Sequence, residues 1–378
     1  MTTYDDAGVD VALGDEVSKM LYKASKLTWP NRAGRFGEVQ VAKDSFSGAR
    51  GFEISNLPIG TRAGMCLDGI GTKIEVAERM GDYTTIAHDL IAMAVEDAVV
   101  YGGEPFVVGS VLDVNRLKDD LGEPFAEHVK QLARGYVEAA NLAQVAVIDG
   151  ETAEIGMRVG GYGPFNANWA AAALWVADVN RLFTGREIQP GDYLLGLKEG
   201  GFRSNGLSLV RKIATDVHGE DWHGVNLEGV SLGERVLTPS KIYTRATLDM
   251  YGRFEEEGEI DVHGFVHVTG GGLVGKLQRV LGGPGLGATM DNLFDPARAM
   301  SYFQQEGDVS DKMAYQTWNM GQGFIVITPN PLGVMQVLER YEDIEGQVIG
   351  KVTDKPGISL ISRGLYSQGG WLNFPHNR

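Results

Sequence analysis

At several points along this chain, an apolar segment of strand character runs into glycines and then into an amphipathic helical pattern. The clearest case is His267-Val268-Thr269-Gly270-Gly271-Gly272, which is followed by apolar residues at helical spacing. Such a joint leaves backbone N–H groups at the positive end of a helix, where a phosphate group is well accommodated. Glycine accounts for 52 of the 378 residues, roughly twice its usual share of about 7%. The pattern therefore predicts a mixed fold of strands and helices whose loops approach a phosphorylated ligand closely.

The length of the chain predicts two domains, because a single hydrophobic core rarely grows beyond about 250–300 residues. Composition shifts between Asn180 and Gly191, where threonine, glycine and proline cluster as they do at a domain junction. We therefore expect two domains, one at residues 1–179 and one at residues 180–378 that ends in a tail. The tail, from Ser362 onward, is expected to be an appendage of uncertain order.

Hydrophobic periodicity assigns the main elements of both domains. Helices are predicted at 86–101, 124–143, 207–213 and 273–281. Strands are predicted at 64–68, 106–114, 144–148, 169–178, 192–198, 265–268 and 323–328. The glycine joints mostly separate a predicted strand from a predicted helix, and the polar segment 150–154 follows the strand at 144–148. Ligand-binding loops are thus expected at the ends of strands.

The charge of the chain argues against two classes of partner. Its 34 basic and 50 acidic residues give a net charge of −16, which repels nucleic acid and anionic membranes at long range. The one cysteine, Cys66, cannot form an intrachain disulfide, and the first ten residues lack the apolar stretch of a secretion signal. The longest apolar run, 169–177, is far shorter than the about 20 residues that span a bilayer. We expect a cytoplasmic protein with no nucleic-acid and no membrane partner.

The joint Asp68-Gly69-Ile70-Gly71-Thr72-Lys73 combines a carboxylate at the end of a strand with glycines and a lysine. The carboxylate could hold a divalent cation, the glycine N–H groups could face a ligand, and Lys73 could neutralise a phosphate. A hairpin turn with an Asp-Gly pair is the alternative interpretation. The spacing alone leaves both open.

Three carboxylates interrupt the apolar helix predicted at 86–101. Asp89 and Glu96 are seven residues apart and share one face, whereas Asp97 lies about 80° away from them. Carboxylates in an apolar helix are costly to bury unless they are paired or bound to a metal, and magnesium would meet this need. The alternative, which we favour for Asp89 and Glu96, is a solvated stripe.

The glycine joints in the C-terminal half carry further polar side chains. His267 and Thr269 lie in the triple-glycine joint, and a related joint places Arg203, Ser204 and Asn205 before a helix. Three consecutive glycines weaken the start of a helix, which favours a role in ligand binding. Alternatively, Ser204 or Asn205 is an N-cap and His267 is a residue of the core.

Taken together and in this order, the motifs resemble the phosphoribosylformylglycinamidine cyclo-ligase family, also called aminoimidazole ribonucleotide synthetase. The resemblance covers nearly the whole chain apart from its tail, and it depends on the order of six motifs rather than on any one of them. The matching segments are 4–10, 68–73, 89–97 with Glu104-Pro105, 150–154, 204–212, 237–243 and 267–272, followed by Asn319, Gly321 and Gly323.

The resemblance implies an α+β fold of two domains, with an N-terminal ATP-binding and dimerisation domain at residues 1–179 and a C-terminal α/β domain with a tail at residues 180–378. It also implies a homodimer in which the N-terminal sheets of two subunits form one barrel. It also implies a ligase of purine biosynthesis. In that reaction ATP phosphorylates the amide oxygen of formylglycinamidine ribonucleotide, and a nitrogen of the same substrate then closes the imidazole ring and expels phosphate. ATP and Mg²⁺ are the implied cofactors, and positioning and charge neutralisation supply most of the catalysis.

By position, the resemblance assigns residues of this sequence to separate tasks. His267, Lys73 and Asp97 would take part in catalysis, and Asp68 and Asp97 would bind magnesium. The nucleotide would be bound by Gly34, Gly37, Asp68, Gly69, Gly71, Thr72, Lys73, Asp97, Glu151 and Thr152, with Arg32 and Phe36 in a glycine loop over ATP. The substrate would be bound by Arg203, Ser204, Asn205, His267, Thr269, Gly270, Gly271 and Gly272.

Four positions depart from the usual pattern of the family. Arg203 stands in place of histidine, Glu96 in place of asparagine, Asp149 in place of glycine and Trp318 in place of phenylalanine. The same resemblance extends to selenophosphate synthetase, thiamine-phosphate kinase and a hydrogenase-maturation protein, which all use ATP. Selenophosphate synthetase would need a reactive cysteine in its N-terminal loop, where Cys66 does not lie. A catalytically silent nucleotide-binding homologue is a further alternative, favoured by Arg203 and Glu96.

Overall fold

The computed structural model describes residues 10–42 and 48–376, so all but the last residue of the motif at 4–10 lies outside the described residues. The chain divides into two compact units. The first comprises the described residues of Met1–Ala98 and Pro105–Val176, and the second those of Val99–Glu104 and Ala177–Arg378.

The first unit is built on a four-stranded sheet. In chain order its elements are helix α1 (Val11–Lys26), strands β1 (Gln40–Val41), β2 (Arg50–Gly51) and β3 (Thr61–Gly69), helices α2 (Lys73–Met80) and α3 (Ile86–Val100), strand β4 (Glu104–Val114), helix α4 (Ala126–Ala143), and strands β5 (Ala146–Glu154) and β6 (Ala167–Asp178). The strands of the sheet lie in the order β3-β6-β4-β5, and β4 pairs with β5 in parallel. The predicted helices at 86–101 and 124–143 are confirmed.

One face of this sheet is buried and the other is exposed although it is apolar. In β3 the side chain of Cys66 is buried, whereas its neighbour Leu67 keeps 68% of its surface exposed, as the alternation of a strand requires. Leu67 lines a shallow hollow with Val111, Ala170 and Ala172 of the neighbouring strands. We call these four residues, together with Met65, the open sheet face.

Strand β5 is longer than the sequence predicts. The prediction that 150–154 follows the strand is wrong, because pairing with β4 continues through Ser110↔Gly150 to Val114↔Glu154. The pairing shifts by one residue between Val108 and Gly109, which is the signature of a β-bulge and obscures the alternation. Gln144, expected to begin the strand, instead ends α4 in the left-handed conformation.

The second unit contains a seven-stranded sheet with helices around it. In chain order its elements are strand β7 (Tyr193–Lys198), helix α5 (Leu207–His218), strands β8 (Asn226–Leu227) and β9 (Val230–Ser231), helices α6 (Leu232–Leu237) and α7 (Thr244–Tyr251), strands β10 (Gly252–Arg253), β11 (Glu256–Glu257) and β12 (Gly264–His267), helix α8 (Gly272–Gly282), strand β13 (Gly287–Met290), helices α9 (Arg298–Glu306) and α10 (Asp311–Thr317), strand β14 (Gln322–Thr328), helix α11 (Pro331–Leu338), and strands β15 (Gly346–Thr353), β16 (Gly357–Ile361) and β17 (Trp371–Phe374).

The sheet of the second unit has the strand order β12-β14-β7-β15-β13-β16-β17. Its pairs are antiparallel except for β13 and β16, which run in parallel. Every residue of β14 is buried. Side chains of Tyr243, Phe265 and Phe324 pack in one core cluster with Leu195 of β7 and Val326 of β14. The predicted strands at 192–198, 265–268 and 323–328 are confirmed within one residue.

The C-terminal tail is part of the second unit's sheet. Strand β17 pairs with β16, and the buried carboxylate of Asp311 accepts hydrogen bonds from the Ser362 hydroxyl at 2.5 Å and from the backbone N–H groups of Tyr366 at 3.0 Å and Ser367 at 2.9 Å. The expectation of an appendage is therefore wrong for the described residues up to 376. A buried carboxylate needs several donors, and the tail supplies them.

Among the described residues, every helix is too short or too polar to cross a membrane.

Replacing Gly135 of α4 by alanine should destabilise the first unit. A Cβ at this position would overlap the backbone carbonyl of Thr84, and backbone atoms cannot move aside easily. We expect the free energy of unfolding to fall by about 1–3 kcal/mol. Gly14→Ala in α1 is the matched control, because a Cβ there meets open space and alanine favours a helix by up to about 1 kcal/mol. Urea unfolding of both variants tests this, and equal effects would refute the packing argument.

Candidate active site

The two carboxylates assigned to magnesium belong to strand β3 and helix α3 of the first unit. Asp68 is near the end of β3, exposed, and its carboxylate accepts a hydrogen bond from the Gly69 N–H at 2.7 Å. Burial and, after it, the negative charge of Asp97 raise the pKa of the Cys66 thiol to about 11. Asp97 of α3 thus lies within electrostatic range of Cys66, which shares its strand face with Asp68. Their shared role at a magnesium ion stays a prediction.

This pair of carboxylates fits magnesium better than a metal that needs a cage of protein ligands. Within residues 10–42 and 48–376, no group of three or more His, Cys, Asp or Glu side chains is arranged to hold a metal ion. Mg²⁺ is usually bound by one or two carboxylates, with water and substrate phosphates completing its shell. Asp68, which is exposed, and Asp97, which is half-buried, could be these carboxylate ligands.

The loop after β3 carries the remaining residues of this motif. Gly71 has a φ of 62°, which glycine adopts without strain, and Thr72 precedes α2 without a side-chain capping hydrogen bond. A Cβ at Gly69 would lie 3.3 Å from the Trp169 carbonyl oxygen. The chain therefore turns here into α2 as a strand–turn–helix joint, and the alternative of a hairpin is wrong.

Lys73, the first residue of α2, is fully buried, and its ammonium lies 2.8 Å from the Asp89 carboxylate, which is also fully buried. Glu96 is fully buried as well. The solvated stripe favoured for Asp89 and Glu96 is therefore wrong, because α3 lies inside the unit and Lys73 neutralises Asp89. The role of Lys73 at a phosphate stays a prediction.

The glycine loop predicted to cover the nucleotide is fixed by Arg32 and Phe36. The buried Arg32 guanidinium donates to the Phe36 carbonyl oxygen, with Nε at 3.0 Å, and the Phe36 ring packs edge-on against Phe106 at 4.9 Å. Gly34 and Gly37 have φ values of 69° and 83°. A Cβ at Gly37 would collide with the Phe106 ring, so this turn requires glycine.

Glu151 and Thr152, assigned to the nucleotide cleft, line a cavity of about 220 Å³ in the first unit. Its walls include Tyr22 of α1, Tyr136 of α4 and Trp169 of β6. Tyr136 and Trp169 are buried, so the cavity has an aromatic floor and a polar edge formed by β5. Sequence analysis missed the aromatic residues, which come from elements far apart in the chain.

In the second unit, the two glycine joints meet. A Cβ at Gly270 would lie 3.3 Å from the Asn205 side-chain oxygen. Gly271 and Gly272 have φ values of 93° and 64°, and a Cβ at Gly272 would lie 2.5 Å from the Tyr315 carbonyl oxygen. The predicted substrate residues Asn205 and Gly270–Gly272 are therefore neighbours, and Thr269 is buried beside them in the chain.

Ser204 and Asn205 do not cap helix α5. The residue at the N-cap is Gly206, with a φ of 73°, and no side-chain capping hydrogen bond is present there. The Trp318 indole N–H donates to the Gly206 carbonyl oxygen at 3.3 Å, and the Asn319 amide donates to the Gly201 carbonyl oxygen at 2.8 Å. The late Trp318-Asn319 motif therefore holds this turn in place, and the N-cap alternative is wrong.

Arg203 and His267 form a buried polar cluster with two residues that sequence analysis missed, Glu199 and Tyr243. The Arg203 guanidinium lies 2.9 Å from the Glu199 carboxylate and 3.0 Å from His267 Nε2, and it stacks over the Tyr243 ring at 5.4 Å. Arg203 has a φ of 57°, and left-handed backbone costs a non-glycine residue about 1–2 kcal/mol. The spacing of four residues between Glu199 and Arg203 was the feature of the sequence that could have indicated this ion pair.

The fold and the two sets of site residues define an α+β protein of the AIR synthase related class. The profile described as "AIR synthase related protein, N-terminal domain" matches residues 55–167, and the one described as "AIR synthase related protein, C-terminal domain" matches residues 189–363.

Relatives identify the family more narrowly. The chain is 32% identical to phosphoribosylformylglycinamidine cyclo-ligase of Methanocaldococcus jannaschii over 94% of this chain and 93% of the relative. It is 31% identical to the protein of the same name from Thermococcus kodakarensis over 97% of this chain and 99% of the relative. The chain belongs to the phosphoribosylformylglycinamidine cyclo-ligase family.

Solved structures share the fold. HypE of E. coli matches with a TM-score of 0.56 and 17% identity over 94% of this chain and 98% of that chain. The hydrogenase maturation protein HypE in complex with ATP matches with a TM-score of 0.54 and 14% identity over 86% and 88%. At these identities the likeness concerns the fold alone.

Replacing Lys73 by methionine should destabilise the protein strongly, because it leaves the buried Asp89 carboxylate without its cation. We expect a loss of about 3–5 kcal/mol in the free energy of unfolding. The double variant Lys73→Met/Asp89→Leu should recover most of this loss, since an apolar pair can replace a buried ion pair.

Urea unfolding measures both effects. Lys212→Met is the control, because Lys212 forms an exposed ion pair with Asp216, and such pairs contribute less than about 1 kcal/mol. A double variant as unstable as the single one would contradict the argument that Lys73 serves to neutralise Asp89.

Proposed function

We propose that this chain is an ATP-dependent cyclo-ligase that converts formylglycinamidine ribonucleotide to aminoimidazole ribonucleotide in de novo purine biosynthesis. The observation that carries this proposal is the similarity to cyclo-ligases over nearly the full length of both chains. The matched regions include the carboxylates of the first unit and the glycine joints of the second.

The reaction has two steps that the proposed site must support. ATP transfers its γ-phosphoryl group to the amide oxygen of the substrate, and ADP leaves. A nitrogen of the same substrate then attacks the activated carbon, a carbon–nitrogen bond forms, and the oxygen leaves as phosphate. Both steps depend on holding the reacting groups in place and on neutralising phosphate charge.

We propose that Asp68 and Asp97 hold Mg²⁺. When bound there, the ion would neutralise negative charge on the nucleotide's phosphates. Asp68 is exposed at the end of its strand, and its carboxylate is oriented by the Gly69 N–H. The half-buried Asp97 acts electrostatically on Cys66, which shares its strand face with Asp68, and this supports the proposal that the two carboxylates share one cation.

The nucleotide is proposed to occupy the first unit. Glu151 and Thr152 edge a cavity with an aromatic floor, which suits a planar base. The turn at Gly34 and Gly37 and the joint at Gly69, Gly71 and Thr72 are rich in glycine and let the backbone approach phosphates closely. Local contacts of this kind are needed in a protein whose net charge of −16 repels phosphates at long range.

The substrate is proposed to contact the joints of the second unit. Ser204 and Asn205 are half-buried beside the triple glycine 270–272, at the start of two helices, where a ribose phosphate would be well accommodated. His267 and Thr269 precede these glycines in the chain. The sequence predicts that Arg203 binds substrate. Its side chain is fully buried in the cluster, so it would act on the substrate through its contact with His267.

We further propose that the protein is a homodimer in which the open sheet face closes a barrel with its counterpart. Met65, Leu67 and Val111 are large apolar side chains that stay more than a third exposed in the single chain. An apolar face of this kind on one side of a sheet is typical of an interface.

We also propose a domain boundary at 179/180, which the composition shift after Asn180 supports. A cytoplasmic location is proposed because the single cysteine cannot form an intrachain disulfide.

Purified protein incubated with ATP, Mg²⁺ and formylglycinamidine ribonucleotide should release ADP and form the imidazole product. Asp97→Asn should lower turnover about ten-fold or more, which corresponds to a loss of about 1.4 kcal/mol in transition-state stabilisation, because it removes a charged metal ligand. Asp216→Asn is the matched control, since Asp216 lies on the surface of α5 in an ion pair.

Absence of a substrate-dependent imidazole product from the wild-type protein would end the functional proposal. A magnesium dependence of Asp97→Asn identical to that of the wild type would remove Asp97 from the metal site while leaving the activity in place.

A charge on the open sheet face should separate the subunits. Leu67→Asp would place a carboxylate in an apolar interface, and analytical ultracentrifugation should show a shift from dimer to monomer at micromolar concentration. Leu332→Asp on α11 is the control, because Leu332 keeps 75% of its surface exposed and lies outside this face. A wild-type monomer, or a Leu67→Asp protein that remains dimeric, would contradict the proposed interface.

A further inference from the structure

We propose that Asn31 is a positioning residue that fixes the glycine loop, residues 33–38, relative to strand β5 of the first unit. Its side-chain amide fastens the turn before this loop to the place where α4 ends and β5 begins. The consequence for the reaction rests on the proposed function, because that function places the loop over the nucleotide. The anchoring itself can be measured without any activity.

The Asn31 amide nitrogen meets three oxygen atoms. Nδ2 lies 2.9 Å from the Val145 carbonyl oxygen, 2.9 Å from the Asn141 side-chain oxygen and 3.2 Å from the Ala140 carbonyl oxygen. Backbone carbonyl groups only accept hydrogen bonds, so the NH₂ group and not the amide oxygen of Asn31 must face them. Its two protons are shared among these acceptors, which holds the side chain in one orientation.

The acceptors lie where the backbone of α4 ends. Carbonyl groups in the last turn of a helix need partners from outside the regular helical pattern, and Ala140 belongs to that turn. Its carbonyl oxygen also accepts from the Val145 N–H at 3.1 Å, after Gln144 has turned the chain in the left-handed conformation. The side chain of Asn31 thus contacts both the end of α4 and the residue before β5. The negative end of the helix dipole favours an N–H donor at this place.

Two neighbouring side chains dock the same turn on β5, the last strand in the order of the sheet. The Thr28 hydroxyl accepts the Val147 N–H at 2.8 Å, and the Trp29 indole N–H donates to the Val147 carbonyl oxygen at 2.8 Å. These side chains therefore satisfy backbone groups of Val147 as a neighbouring strand would. Trp29–Arg32 forms a short 3₁₀ helix, and Asn31 extends the docking to within three residues of Gly34.

The glycine loop is closed by its own hydrogen bonds, so a shift of its base moves the loop as a whole. The Gly34 N–H donates to the Glu38 carboxylate at 3.2 Å, and the Glu38 N–H donates to the Arg35 carbonyl oxygen at 3.0 Å. The Phe36 ring of the loop packs against Phe106 of β4. The docked turn at 28–32 and this ring contact together determine where the loop lies.

The strand that holds the anchor also carries the predicted nucleotide residues. Val147, Glu151 and Thr152 all belong to β5 and line the same cavity. Fastening the loop to the start of this strand therefore sets the distance between the loop and the cavity. In the proposed reaction the loop approaches the phosphates and the cavity takes the base, so the two must be correctly spaced for one nucleotide. Asn31 is expected to act on ATP through the loop.

Hydrogen–deuterium exchange with mass spectrometry tests the anchor on the full-length protein without nucleotide. Asn31→Asp keeps the size of the side chain but replaces the donor by a carboxylate that faces three oxygen atoms. We expect amide exchange in peptides that cover residues 28–38 to accelerate about ten-fold or more, because local opening becomes easier. Unchanged exchange in the buried strand β14 shows that the variant is folded.

Asn226→Asp is the matched control. Asn226 is exposed, and its side-chain oxygen accepts the Gly229 N–H at 2.9 Å, which a carboxylate can also accept. Exchange over residues 28–38 should not change in this variant. Asn31→Ala removes the donor without adding a charge and should accelerate exchange in the same peptides, so it provides the test if Asn31→Asp does not fold. Wild-type exchange over residues 28–38 in either folded Asn31 variant would overturn the proposal.

The kinetics separate a positioning role from a general loss of structure. We expect KM for ATP to rise about ten-fold in Asn31→Asp, while KM for formylglycinamidine ribonucleotide stays within about two-fold of the wild-type value. An equal rise in both KM values, or an unchanged KM for ATP, would refute the positioning role. If the wild-type protein forms no product, the functional proposal fails, and the exchange measurement still decides whether Asn31 anchors the loop.

Discussion

Close approach between backbone and large side chains is the constraint on which the binding loops of both units depend. A Cβ at Gly206 would lie 2.5 Å from the Trp318 ring, and one at Gly323 would collide with the Tyr243 hydroxyl. In the first unit, Gly37 has the same relation to Phe106. These glycines are required by packing before any ligand arrives. The glycine pattern therefore defines the shape of the loops, and the family similarity supplies the identity of the ligand.

Buried charges form the second common feature, and they mark the limit of reasoning from helical periodicity. The sequence of α3 is apolar on nearly all sides, so a carboxylate on it must either reach solvent or find a cation. Asp89 finds Lys73, sixteen residues earlier, at the start of another helix. Spacing within one helix cannot reveal such a partner, because tertiary packing selects it. The same holds for His267 and Arg203, which are 64 positions apart.

Elements with strong periodicity could be predicted from the sequence, and elements defined by pairing could not. The sequence predicts several elements within a few residues, because the apolar residues of each recur at regular spacing or in an unbroken run. These elements are helices α3, α4 and α8 and the central strands β7 and β14. The end of β5 was not, because its polar residues, Gly150 to Glu154, belong to a strand only through their hydrogen bonds to β4. The tail was missed for a related reason, since its order comes from the buried Asp311 carboxylate. In the candidate site, the roles of the carboxylates and glycines stay predictions, and the buried contacts of Glu199 and Tyr243 with Arg203 could not be predicted because tertiary packing creates them.

The departure at Arg203 shows how one substitution changes the chemistry of a shared site without changing its fold. A histidine at this position could donate to His267 or accept from it, because either ring nitrogen can carry the proton. An arginine can only donate, so His267 Nε2 is the acceptor in this contact. The cost is a permanent buried cation, and Glu199, at 2.9 Å, balances it. Arginine at 203 and a carboxylate at 199 therefore belong together, because each would be an uncompensated buried charge without the other.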